Sequence, residues 1–130
     1  MFLGVDLGKK TTGLAISSGT ISSPLKTITH KSLREVVEKI SAVCQEEGIE
    51  TIVLGYVEGK IKNYFLGFEK KFKEKNPGIE IVLVDETLTS RQATETMINI
   101  NLPKVKRQKK EHEIAASLIL QGYLNELETQ

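Results

Sequence analysis

The 130-residue sequence predicts an α/β protein with a mixed five-stranded sheet, a three-strand antiparallel meander plus two parallel strands, and helices on both faces. Three observations predict it. The stretch FLGVDLGKKTTGLAIS (residues 2–17) sets two apolar runs around a Gly-Lys-Lys-Thr-Thr turn, the pattern of a hairpin. From residue 32 the apolar spacing changes to a helical period. Beyond it, two short apolar runs, ETIVLGY (50–56) and IEIVLVD (79–85), alternate with helical segments, and parallel strands need crossover helices.

Each element has its own signal. After the hairpin, TISSPLKTIT (20–29) reads as a third strand, and Pro24 confines it to an edge or a bend because proline cannot donate to a ladder. SLREVVEKISAVCQEEG follows. Ser32 and Glu35 form a capping box, Leu33, Val36, Val37, Ile40, Val43 and Cys44 share one helical face, and Gly48 stops the helix. Residues 61–75 form a lysine-rich amphipathic helix ended by Asn76-Pro77-Gly78. Thr89 and Gln92 cap a further helix to about residue 100. After Leu102-Pro103 a basic loop, KVKRQKK, leads into the last helix, EHEIAASLILQGYLNELE. The two buried strands are expected to run parallel to the first.

Length and composition bound the function. A chain of 130 residues suits one domain, residues 1–130, with its own core. No apolar run approaches the roughly 20 residues that span a bilayer, so no membrane role is expected. Nothing in the N-terminal pattern suggests secretion, and the single Cys44, set in a helix, fits a core thiol in a reducing cytoplasm. Net charge is only +1, so any case for nucleic acid must rest on where the lysines lie.

The acids carry the chemistry. Asp6 interrupts the first strand, and Asp85 with Glu86 ends the last one. Ligands of open α/β sheets gather at the carboxyl ends of parallel strands, so these three carboxylates are expected to converge. Carboxylates forced together repel unless a cation lies between them, and hard divalent ions take oxygen ligands. A metal site is the economical reading. The plainer one makes Asp6 a turn acid capping amides near Gly8, and Asp85 a strand-end cap.

VDLGKKTTGLAIS, VDETLTS and KKEHEIAASLILQGYL resemble, in order and across essentially the whole chain, the three blocks of the YqgF/RuvX family, which includes Holliday junction resolvases and pre-16S rRNA nucleases. The resemblance implies an RNase H-like fold and metal-dependent phosphodiester hydrolysis with Mg²⁺ or Mn²⁺. It also implies a catalytic set of three acids. The first carries over as Asp6 and the second as Glu86, with Asp85 beside it; the third does not, because His112 stands where the family pattern has Asp. The middle block departs as well, reading YVEGKIKN, where Glu58 is an additional acid or only a loop charge.

His112 is thus expected either as a metal ligand with Asp6 and Glu86 or as a half-buried histidine satisfied by a neighbouring carboxylate. Imidazole suits Mn²⁺ better than Mg²⁺. In helical spacing His112 shares a face with Ala115, Ala116 and Ile119, and the small alanines let that helix approach the first strand. Lys104, Lys106, Arg107, Lys109 and Lys110 crowd the segment before His112 and are expected to hold phosphates. Lys9 and Lys10 of the first turn and Arg91 beyond the VDE block are expected to join them. Seven aromatics without a tryptophan give no evident base-stacking platform.

Two other functions fit parts of the pattern. The Asp-x-Gly turn could cradle a nucleotide phosphate, as in actin-like kinases, but that class closes two domains over ATP. A nucleic-acid-binding domain that kept the fold and lost the third acid is the stronger rival. Neither the substrate, an rRNA precursor or branched DNA, nor the oligomeric state, monomer or homodimer, is fixed by the sequence.

Overall fold

The structure, a computed structural model, describes residues 1–56, 62–85 and 104–128, with side chains in the last segment from residue 110 onward. The elements are β1 (Phe2–Asp6), β2 (Thr11–Ser17), β3 (Ser23–Thr29), α1 (Leu33–Glu47), β4 (Thr51–Tyr56), α2 (Lys62–Lys75), β5 (Glu80–Asp85) and α3 (Lys104–Glu128). The strand order is β3-β2-β1-β4-β5. β1 pairs antiparallel with β2 and parallel with β4, and β5 continues the parallel half. The expected mixed sheet is therefore present. β3 is an edge strand, as Pro24 requires, and its register slips beside that proline, between Leu14 and Ala15 of β2. The helix expected near residues 89–100 lies outside the described residues.

Strand alternation divides the core into two layers. Leu3 and Val5 of β1, Leu14 of β2, and Ile52 and Leu54 of β4 face α1 and α2, where they meet Val36, Ile40, Phe68 and Phe72. The rings of Phe68 and Phe72 stack at 5.5 Å. Each such side chain, fully buried, contributes roughly 1.5–3 kcal/mol. The opposite face carries Ala15, Val53 and Val84 against Ala116, Ile119, Leu120 and Leu124 of α3. Helices thus cover both faces.

Local signals set the ends of α1. Ser32 accepts a hydrogen bond from the Glu35 amide at 3.1 Å, and the Glu35 carboxylate accepts from the Lys31 amide at 3.1 Å. Gly48, at φ 67°, supplies the left-handed cap and donates to the Cys44 carbonyl. Cys44 is buried, and burial pushes its thiol pKa up to about 12. It is a core thiol with no nucleophilic role at neutral pH.

The basic run differs from expectation. It forms the first turns of α3 instead of a loop, since the helix starts at Lys104. Lys, Arg, Gln and Glu are all good helix formers, and nothing after Pro103 breaks the helix, so it extends back from Glu111 to the proline.

The α3 layer is unusually close to the sheet. A side chain at Gly13 would place its Cβ 2.0 Å from the His112 carbonyl oxygen, and one at Gly4 would lie 2.6 Å from that of Ala116. Gly13→Ala should therefore force α3 off the sheet and cost on the order of 3 kcal/mol, measured by urea unfolding. Gly19→Ala, whose added Cβ meets nothing within 4 Å, is the control and should stay within about 0.5 kcal/mol of the parent.

Candidate active site

Asp6 is the last residue of β1, and its neighbours across the sheet are Gly13 of β2 and Gly55 of β4. Directly paired residues share a face, so the carboxylate stands between two positions without side chains. Gly4, two residues back on the same face, extends that low floor under α3. The helix settles onto it, and His112 comes over Asp6. The His112 Nδ1 lies 3.0 Å from Asp6 Oδ2. A carboxylate can only accept, so Nδ1 carries the proton and donates. In the neutral ring Nε2 then holds the free lone pair.

The electrostatics follow from this contact. The Asp6 side chain is 11% exposed and that of His112 41%. The hydrogen bond to Asp6 raises the His112 pKa above its usual value near 6.5; partial burial opposes the rise, and the charges of Asp6 and Glu111 add to it. With the His112 ring protonated the contact is an ion pair; with the ring neutral it is an imidazole N–H on a carboxylate. Both expectations for His112 contain this geometry, because a carboxylate–imidazole contact serves a satisfied histidine and a ligand whose orientation is fixed by an acid equally well.

The other expected site residues fall as follows. Asp85 ends β5 in register with Tyr56, whose ring packs with the α1/α2 layer, so it stands on the face opposite Asp6 and two strands away. Strand alternation thus puts Asp85 and Asp6 on opposite faces of the sheet. Glu86, Arg91 and Glu58 lie outside the described residues. Lys9 and Lys10 are exposed on the β1–β2 turn, next to Asp6 in sequence, and Lys110 is exposed on α3. The side chains of Lys104, Lys106, Arg107 and Lys109 lie outside the described residues. Among the described residues no three His, Cys, Asp or Glu side chains form a metal cluster.

Sequence reasoning missed Gly13 and Gly55. The available signal was glycine inside a strand, which marks a close backbone approach. TTGLAIS and TIVLGY each carry one, and only the pairing register brings both to Asp6.

Residues 1–126 match the profile of the family described as RuvX: Holliday junction resolvase. The chain belongs to the RuvX family. A relative from Aster yellows witches'-broom phytoplasma, provisionally named pre-16S rRNA nuclease, is 37% identical to this RuvX chain over 95% of it and 87% of the relative. One of the same provisional name from Clostridium acetobutylicum is 35% identical over 96% and 98% of the two chains. Among solved structures, a Fowlpox virus resolvase in complex with Holliday junction DNA aligns with TM-score 0.64 at 13% identity, covering 97% of both chains. Thermus thermophilus RuvC with its Holliday junction substrate aligns with TM-score 0.57 at 15% identity, over 96% and 94%. The fold of this RuvX chain is thus RNase H-like.

The site makes a pH prediction. Because the folded pKa of His112 exceeds the unfolded value near 6.5, its bond to Asp6 adds stability that is fully present below about pH 6.5 and is lost as pH rises through the folded pKa. Asp6→Asn removes the charge, so the His112 ring should titrate at a lower pH than in the parent by NMR. The stability difference between parent and variant should shrink across the same window.

Proposed function

We propose that this RuvX protein is a metal-dependent nuclease that hydrolyses phosphodiester bonds of an rRNA precursor in the cytoplasm. The observation that carries the reading is the Asp6–His112 pair at the carboxyl end of the central strand, on the helix that begins with the basic run. Relatives named for pre-16S rRNA, 35–37% identical over nearly the whole chain, support RNA as the substrate. Branched DNA becomes an outcome of the test.

The donors fit a divalent ion as part of a set. Among the described residues His112 engages only one oxygen of Asp6, and the neutral ring offers Nε2. Hard ions want further oxygens, and we assign Glu86 as the next donor. Glu86 follows directly on Asp85, the last residue of β5, and is the acid that the family resemblance pairs with Asp6. A bound ion supplies Lewis acidity toward the phosphoryl group and lowers the pKa of a water. Asp6 supplies the buried negative charge that holds the cation. His112 replaces a carboxylate by a neutral donor, which favours Mn²⁺ over Mg²⁺ and ties activity to the deprotonated ring.

Phosphate capture falls to the start of α3. Lys104, Lys106, Arg107, Lys109 and Lys110 lie in its first two turns, and α3 has no acid in its first turn. Positive charge at a helix N-terminus opposes the helix dipole, and a bound anion offsets it.

A cleavage screen with single-stranded RNA, RNA duplex and four-way DNA junctions, each in Mg²⁺ and Mn²⁺, tests the reading. RNA cleavage that rises with pH and runs faster in Mn²⁺ is expected. Asp6→Asn should reduce it to background with the fold intact, and His112→Asp should raise the Mg²⁺ rate. Replacing Lys104 and Lys106 with Gln should flatten the salt dependence of RNA binding by about 1 to 2 in log–log slope. Junction cleavage alone would move the substrate to DNA. Binding without cleavage in the parent and in His112→Asp would leave a nucleic-acid-binding domain that lost the reaction with its third acid.

A further inference from the structure

Two side chains outside the proposed reaction converge on Gly8, and a third backs one of them. Gly8 lies two residues beyond Asp6, in the turn to β2. Its carbonyl accepts a hydrogen bond from the Tyr64 hydroxyl of α2 at 3.1 Å, and its amide donates to Thr12 Oγ1 at 3.4 Å, the weaker contact of the two. Thr12 Oγ1 in turn lies 2.8 Å from His30 Nε2. The backbone of His30 donates to the Lys10 carbonyl at 2.9 Å, so the segment after β3 is tied to the same turn a second time. The turn itself is tightly closed, since a Cβ at Gly8 would lie 2.3 Å from the Thr11 carbonyl oxygen.

His30 is costly at this place. It is 4% exposed, and among the described residues its Nδ1 has no hydrogen-bond partner. A buried polar atom without a partner typically costs about 1–3 kcal/mol. Burial lowers the His30 pKa, against the pull of Glu35, which keeps the ring neutral at neutral pH. An apolar ring would fill the same volume without the orphaned nitrogen. What the imidazole adds is its bond to Thr12, a fully buried hydroxyl whose other contact is the Gly8 amide.

We infer that Thr12, His30 and Tyr64 are positioning residues: Thr12, braced by His30, and Tyr64 hold the amide and the carbonyl of Gly8 and thereby keep Asp6 in reach of His112, with Lys9 and Lys10 presented on the same turn. Thr12 stands one residue before Gly13, the position over which the His112 backbone lies, so the clamp and the floor of the site are built by adjacent residues of β2. The effect on cleavage rests on the nuclease reading. The effect on the Asp6–His112 bond does not.

The test compares Thr12→Val, which removes the hydroxyl and keeps the shape, with Thr12→Ser, which restores it. One readout is the Nδ1–H proton resonance of His112 in the full chain, which reports the bond to Asp6 without substrate. The other is kcat and KM for RNA cleavage. Thr12→Val should shift or broaden that resonance and lower kcat about tenfold while KM stays within about twofold, since small misplacements at a reacting centre act on rate. Thr12→Ser should recover both. Tyr64→Phe removes only a hydroxyl at a partly exposed ring, so it folds, and should move the resonance and kcat in the same direction by less. If Thr12→Val and Tyr64→Phe keep the parent resonance and kcat and change only Tm, the clamp is packing and the inference is overturned. Should Thr12→Val not fold, Tyr64→Phe decides by itself. If the parent cleaves no nucleic acid, the nuclease reading fails, and the resonance alone still decides the clamp.

Discussion

The close approach of α3 to the sheet is the constraint on which the rest of the site depends. The His112 carbonyl occupies the space that a side chain at Gly13 would fill, and the Ala116 carbonyl does the same above Gly4. Ordinary side chains at these positions would hold the helix farther from the sheet, and an imidazole would then have to reach farther to a strand-end carboxylate. With glycine below and alanine above, a short side chain suffices. The same contact fixes the helix along its axis: Ser117 and Gln121 bond Ser22 just before β3, and Glu113 accepts from Thr27 within it. A helix held at several points cannot rotate His112 away without breaking the others.

Topology decides where this contact falls. β1 is central, and it is the one strand with an antiparallel neighbour on one side and a parallel neighbour on the other. Its carboxyl end therefore faces the hairpin turn, the carboxyl end of β4 and the start of α1 together, the place where α/β sheets gather ligands. Lys9, Lys10 and Lys31 are exposed at that end, while Asp6 is nearly covered. The negative charge of Asp6 is thus covered and faces the His112 imidazole, while the positive charges of this end stand at its exposed rim.

Most of the fold was legible because its periods were clean. The capping box of Ser32 and Glu35 and the stop at Gly48 gave α1 its observed limits, and Pro24 announced both the edge strand and its irregularity. The start of α3 was not legible, since a lysine-rich segment after Pro103 suits a loop and a helix alike and only the helix formers beyond it decide. Asp6 and His112 were each found as single residues, one as a misplaced acid and one as a departure from a family pattern. The direct hydrogen bond between them, over the floor of Gly13 and Gly55, needed the register. For Asp85, proximity to a strand end is visible in sequence, whereas the face on which it stands follows from its pairing with Tyr56 in the folded sheet.

The replacement of a carboxylate by His112 changes what the site is before any ligand arrives. Two carboxylates side by side would repel, and their pair would be relieved by a cation. A carboxylate beside an imidazole is relieved by a proton instead, which is why the Asp6 bond raises the His112 pKa. On the metal-dependent reading proposed above, a proton and a metal ion would compete for the same pair of side chains. The helix geometry keeps the ring over Asp6 in either state, because the backbone contact at Gly13 does not depend on charge. A site of this kind is assembled by packing and tuned by protonation. Its shape is set by the backbone contact at Gly13, and its charge by whether the ring holds a second proton.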